Sequence, residues 1–138
     1  MQTMAKILVV DDDPDVVMST RLCLEAEGHE VIEAKNGTEC LARVRTQRPD
    51  LIILDVMMDS TTEGFQVTLK LKSQDPTSEY YAFREIPILI LTAIHSTTPM
   101  RFGPKEDYLP VDEFIDKPID PDDLVQKVAS LLEAKQTR

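Results

Sequence analysis

The stretch Lys6-Ile7-Leu8-Val9-Val10-Asp11-Asp12-Asp13-Pro14 decides the reading of the fold. Its apolar residues stand at consecutive rather than alternate positions, as in a strand buried on both faces. Acids follow at once: Asp12 and Asp13 are candidate helix caps, and Pro14 suits the first helical turn. A buried strand that runs straight into a helix is the opening unit of an α/β fold with a parallel sheet.

The same alternation continues along the chain. The helix begun near Pro14 closes at Gly28, Glu30 to Ala34 reads as a second strand, and Asn36-Gly37 as a turn. Thr38 to Arg48 predicts a helix with Cys40, Leu41 and Val44 inward, stopped by Pro49. Leu51 to Leu54 is the third strand, Ile86 to Thr92 the fourth and most apolar, and Glu113 to Ile115 a short fifth. Asp120-Pro121-Asp122-Asp123 opens the last helix, whose Leu124, Val125, Val128, Leu131 and Leu132 form an apolar stripe at helical spacing. Phe65, Val67, Leu69 and Leu71 alternate with polar residues in the manner of a strand. A helix is nonetheless expected there, because the crossover between parallel strands three and four must be right-handed and is usually helical. Ser96 to Pro110 contains Pro99, Gly103, Pro104 and Pro110 and predicts a short or irregular fourth helix flanked by loop.

The length of 138 residues suits one domain, expected over 5–135 behind a short extension, 1–4. Hydrophobic residues at 42% and charged residues at 29% exclude a disordered acidic tail or a coiled rod. A net charge of −10 argues against direct nucleic-acid binding, which needs clustered cations. The longest apolar stretch, Ile86 to Ile94, is far short of a membrane span and contains Pro87 and Thr92. The first apolar run leads directly into three aspartates, unlike a secretory signal, so a cytoplasmic location is expected. Cys23 and Cys40 lie outside any CxxC pairing and read as buried free thiols.

Open α/β sheets bind ligands beyond the carboxyl ends of their strands. There this chain places Asp11 and Asp12 after strand one, Asp55 after strand three, Thr92 after strand four, and Lys117 with Pro118 after strand five. Singly, each has an ordinary role as a cap, a loop acid or a turn. Jointly, four successive strand ends carry three carboxylates, a hydroxyl and an ammonium. Carboxylates held together repel unless a cation neutralises them, and Mg²⁺ is the natural partner for such an oxygen set. Asp55 could then act as a nucleophile toward phosphorus, with Lys117 and the metal neutralising phosphoryl charge and the Thr92 hydroxyl donating to it.

Ile7 to Pro14, Asp50-Leu51-Ile52-Ile53-Leu54-Asp55-Val56-Met57-Met58, Ile90-Leu91-Thr92-Ala93 and Phe114-Ile115-Asp116-Lys117-Pro118 together resemble the receiver domain of bacterial response regulators, over nearly the whole chain. The resemblance implies a doubly wound, flavodoxin-like (βα)5 fold: a five-stranded parallel sheet of order 2-1-3-4-5 in a three-layer αβα sandwich. It implies that Asp55 accepts a phosphoryl group from the phosphohistidine of a sensor histidine kinase or phosphotransfer protein. It further implies that Asp12, Asp55 and the backbone carbonyl of Met57 hold Mg²⁺, with Asp11 acting through water. Thr92 becomes the switch hydroxyl, Lys117 the phosphate-pairing cation, Phe114 the switch aromatic, and the peptide before Pro118 cis. The resemblance implies a switch that regulates an output partner, not a turnover enzyme. A weak or phosphorylation-dependent homodimer is compatible with it, although the composition of Ser96 to Pro110 disfavours the usual mode.

The sequence departs from the family in three places. Asp59 stands where a Pro is usual, and Glu63-Gly64 replaces Asp-Gly after a loop one residue longer. The separation of Asp55 from Thr92, 92 − 55 = 37 positions, exceeds the family's, and the excess lies mostly in Ser73 to Glu85. That segment reads as a helix extension packed on the fold or as a partner-docking patch. The Pro-rich segment 96–110 is the third departure. Two other functions share features: a phosphatase of the haloacid dehalogenase type, which wants an acid where this chain has Met57, and a receiver-like interaction module that no longer takes phosphate. A flavodoxin-like cofactor binder lacks the phosphate-cradling first loop, since Asp11-Asp12-Asp13 would repel a phosphate. The short tail after the last helix reads as a stand-alone regulator or a fragment of a longer one.

Overall fold

The computed structural model describes residues 5–55, 63–92, 113–116 and 119–136. Five parallel strands form one sheet: β1 (Lys6–Val10), β2 (Glu30–Ala34), β3 (Leu51–Asp55), β4 (Ile88–Thr92) and β5 (Glu113–Asp116), in the order β2-β1-β3-β4-β5. The described residues also hold helices α1 (Pro14–Ala26), α2 (Gly37–Gln47), α3 (Glu63–Leu71) and α4 (Pro121–Gln136), and one 3-10 turn, Tyr81–Phe83. The expected helix within Ser96 to Pro110 lies outside the described residues.

Consecutive apolar residues in the strands serve two cores, one on each face of the sheet. Leu8, Val10, Ile52, Leu54, Ile88 and Ile90 pack on the side of Cys40 and Val44 from α2 and Val67 and Leu71 from α3. Ile7, Val9, Leu51, Ile53, Leu89 and Leu91 pack on the side of Val17 and Leu24 from α1 and Leu124, Val128 and Leu132 from α4. This alternation explains why the runs look uninterrupted in sequence.

Pro14 opens α1 behind Asp13, whose side chain accepts from the N–H of Asp15 at 2.9 Å. Asn36 caps α2 by accepting from Glu39 N, and α2 ends at Gln47, with Arg48 in the left-handed region at φ 50°. Pro49 is the reason: the residue before a proline avoids the right-handed helical conformation. Over 63–71 the helix prevails despite the strand-like alternation, with Val67 and Leu71 four residues apart and buried, while Leu69 is 56% exposed.

β3 and β5 each run one residue further than expected, to Asp55 and Asp116, and α2 spans Gly37–Gln47 rather than Thr38 to Arg48; two departures are larger. β4 begins at Ile88 rather than Ile86, because Pro87 has no N–H for a ladder and Ile86 N turns back to Phe83 O at 3.1 Å. Ser73 to Glu85 does not extend α3; it forms turns and the 3-10 element. Pro76 bars helical continuation, and Asp75 Oδ1 accepts from both the backbone N–H and the hydroxyl of Thr77. Tyr80 and Phe83 from this segment are buried in the α2–α3 core, with Arg45 over the Tyr80 ring and Arg48 over the Phe83 ring. Cys40 is buried as expected, whereas Cys23 is only half-buried; both are free thiols.

Candidate phosphoryl and metal site

The parallel register sets the site. Val10 of β1 is opposite Leu54 of β3, so the next residues along, Asp11 and Asp55, come side by side at the carboxyl edge. Asp55 pairs with Leu91 of β4, and Thr92 with Asp116 of β5. Asp11 leaves the strand by donating its N–H to Ala34 O of β2 at 3.1 Å, and its Oδ1 accepts from Asp13 N at 2.9 Å. The three successive aspartates therefore divide their work. Asp13 caps α1, Asp11 is fixed by a local turn and buried, and Asp12 is exposed.

Carboxylate oxygens of Asp11, Asp12 and Asp55 lie within 4.8 Å of one another. Asp11 and Asp55 are each 2% exposed. Two buried like charges at this spacing repel by about 3 kcal/mol at an effective dielectric near 20, so the cluster favours a neutralising cation. Its donors are all oxygens, and the separation permits one ion to be reached directly by some carboxylates and through water by another. That chemistry fits a hard divalent ion such as Mg²⁺ and not a thiolate- or imidazole-seeking metal.

Of the residues singled out from the sequence, Asp11, Asp12 and Asp55 are thus brought together. Thr92 ends β4 at the same edge of the sheet and Phe114 lies in β5, but the side chains of both are outside the described set. Met57, Lys117 and Pro118 are also outside the described residues.

The sequence reading did not anticipate a cleft of about 610 Å³ that opens beside the acids. Asp11 and Asp12 line it together with Met18 of α1, with Lys35 from the β2–α2 turn, and with Glu39 and Arg43 of α2. The one signal for it was the charged Lys35 directly after the second strand, at a strand end that the reading left empty of chemistry.

The profile of response regulator receiver domains matches residues 7–129, and the chain belongs to that family. PilH of Pseudomonas aeruginosa is 31% identical over 129 residues, covering 94% of this chain and 98% of PilH. The alkaline phosphatase synthesis transcriptional regulatory protein PhoP of Bacillus subtilis is 35% identical over 127 residues, 92% of this chain but 48% of PhoP. The chain therefore spans about half the length of that second relative. Among solved structures, a putative response regulator from Chloroflexus aurantiacus matches with a TM-score of 0.74 at 27% identity, over 95% of this chain and 99% of that one. The chemotaxis response regulator CheY4 of Vibrio cholerae gives 0.72 at 29%, over 94% and 99%. The family consists of two-component signalling modules rather than turnover enzymes. Among the described residues, no helix is long and apolar enough to cross a membrane.

Proposed function

We propose that this receiver domain accepts a phosphoryl group on Asp55 from the phosphohistidine of a sensor histidine kinase or phosphotransfer protein, and so regulates an output partner. The observation that carries the reading is the convergence of Asp11, Asp12 and Asp55 within 4.8 Å at the carboxyl edge of the sheet. An Oδ atom of Asp55 attacks phosphorus; the P–N bond of the donor breaks, its electron pair leaves on the imidazole nitrogen, and solvent supplies the proton that restores neutral histidine.

Asp12, Asp55 and the Met57 carbonyl would hold Mg²⁺, with Asp11 engaging it through water. When bound, the ion supplies positive charge to the phosphoryl oxygens and relieves the repulsion among the acids. Lys117 pairs with a phosphoryl oxygen, and Thr92 donates its hydroxyl to another. Movement of Thr92 toward the phosphoryl group, accompanied by Phe114, is the switch read by the partner. The same reading takes the peptide before Pro118 as cis.

Intact-mass measurement after acetyl phosphate and Mg²⁺ tests the reading. Wild type should gain one phosphoryl group and Asp55→Asn none. No gain in wild type favours an interaction module without phosphorylation, and equal gain in both proteins moves the site away from Asp55.

A further inference from the structure

The cleft beside the three carboxylates is lined by two cations, Lys35 and Arg43, and both residues are exposed. Among the described residues, neither head group has a hydrogen-bond or ion-pair partner. Two glutamates, Glu33 and Glu39, also line the cleft, and among the described residues neither bonds the head group of Lys35 or Arg43. Glu33 pairs with Arg21, and Glu39 Oε1 accepts from the backbone N–H of Lys35 at 2.9 Å. That second bond belongs to the cap of α2 and holds the turn that carries Lys35 at the mouth of the cleft. Arg43 follows one helical turn after Glu39, on the same side of α2.

This placement of charge is informative in a chain of net charge −10. A phosphoryl donor is itself an anion and meets a repulsive field on approach. Two cations without a partner among the described residues, in a cleft that Asp11 and Asp12 line beside Asp55, offer a second point of contact to a donor with two anionic groups: the phosphoryl group at Asp55 and another next to it. Lys35 and Arg43 stand on the β2–α2 side of the site, away from β4 and β5, so the second anion lies on the flank of the donor that faces α2.

We infer that Lys35 and Arg43 form a subsite for an acidic side chain carried by the phosphoryl donor near its phosphorylated residue. The inference rests on the reading of Asp55 as phosphoacceptor. The two cations act on encounter and orientation rather than on the displacement at phosphorus, so they select among donors.

Two synthetic peptides carrying phosphohistidine, identical except for three flanking Glu or three flanking Gln, provide the test. Each is mixed with Mg²⁺ and either wild type or Lys35→Gln/Arg43→Gln, both confirmed folded by circular dichroism, and phosphoryl gain is followed by intact mass. For wild type at low salt the Glu peptide should react about 10-fold faster, with the ratio falling toward one in 0.5 M NaCl. In the double variant the ratio should fall below about 2-fold at low salt. In Lys35→Glu/Arg43→Glu, a peptide with three flanking Lys should outpace the Glu peptide. Equal rates for the two peptides in wild type, or a Glu preference that survives the double variant, overturns the subsite. Failure of wild type to gain mass from acetyl phosphate instead overturns the phosphoacceptor reading beneath it.

Discussion

Asp55 at the end of β3 lies beside Asp11, one residue past β1, because Val10 and Leu54 are paired in parallel register, and both carboxylates are buried. A slip of one residue would carry one of them to the opposite face of the sheet. The fold thus holds together two groups that repel each other, and the strain is released by neutralising either one.

Asp55→Asn should therefore unfold at a higher temperature than wild type when both are treated with chelator, since one of the clustered charges is gone. The order should reverse in Mg²⁺. Wild type gains about 2.7 kcal/mol at a metal concentration 100 times its Kd, and the variant gains little. Calorimetry with and without Mg²⁺ checks both halves. A wild type whose melting temperature ignores Mg²⁺ contradicts the metal reading.

Thr20 is buried on the inner side of α1, and among the described residues its hydroxyl has no hydrogen-bond partner. Thr20→Val keeps the β-branched shape and removes the unsatisfied group, so it should stabilise the protein by about 1 kcal/mol. Urea unfolding should show a higher midpoint at unchanged slope. A lower midpoint would mean that the hydroxyl is satisfied in solution.

His29 Nδ1 accepts the N–H of Ala5 at 3.1 Å, just ahead of β1. Burial holds its pKa below the ordinary histidine value, opposed by the nearby Glu27. The unfolded chain therefore takes up the proton more readily than the folded one. The stability that neutral His29 contributes is complete above pH about 6.5 and is lost as pH falls toward the lower, folded value. In His29→Gln, whose amide oxygen can accept from Ala5, the drop in urea midpoint between pH 7 and pH 5 should be shallower than in wild type. Equal slopes contradict the assignment.

The additional segment before β4 is structural where it is aromatic and buried. Phe83→Ala removes a buried ring from the α2–α3 core and should cost about 3 kcal/mol. The half-exposed Tyr81 ring has Arg84 over it at 3.7 Å, and Tyr81→Ala should cost less than about 1 kcal/mol. Paired urea titrations separate the two, and similar losses would contradict this division.

The sequence made the strands and the acids readable because buried parallel strands leave unbroken apolar runs, and strand ends in such sheets carry the chemistry. Lys6 to Asp13 alone announced a strand, a cap and two site residues. The period of α3 misled, since Leu69 is exposed and completes the alternation only by accident. There the topology was the better guide. The path of Ser73 to Glu85 was hidden because three-dimensional partners decide it: Tyr80 and Phe83 join the core that α2 and α3 build, and Arg45 and Arg48, some 35 positions earlier, stand over their rings. The cleft was hidden for a related reason. Lys35 and Arg43 become a pair only once α2 has folded, and no motif spacing marks them.

Asp55 is the proposed carrier of the phosphoryl group. Borohydride reduction converts an acyl phosphate on aspartate to homoserine, so peptide sequencing by mass spectrometry after acetyl phosphate, Mg²⁺ and borohydride reads the acceptor residue directly. Homoserine is expected at position 55 in wild type, dependent on Mg²⁺. Homoserine at another aspartate, or none at any position, would contradict it.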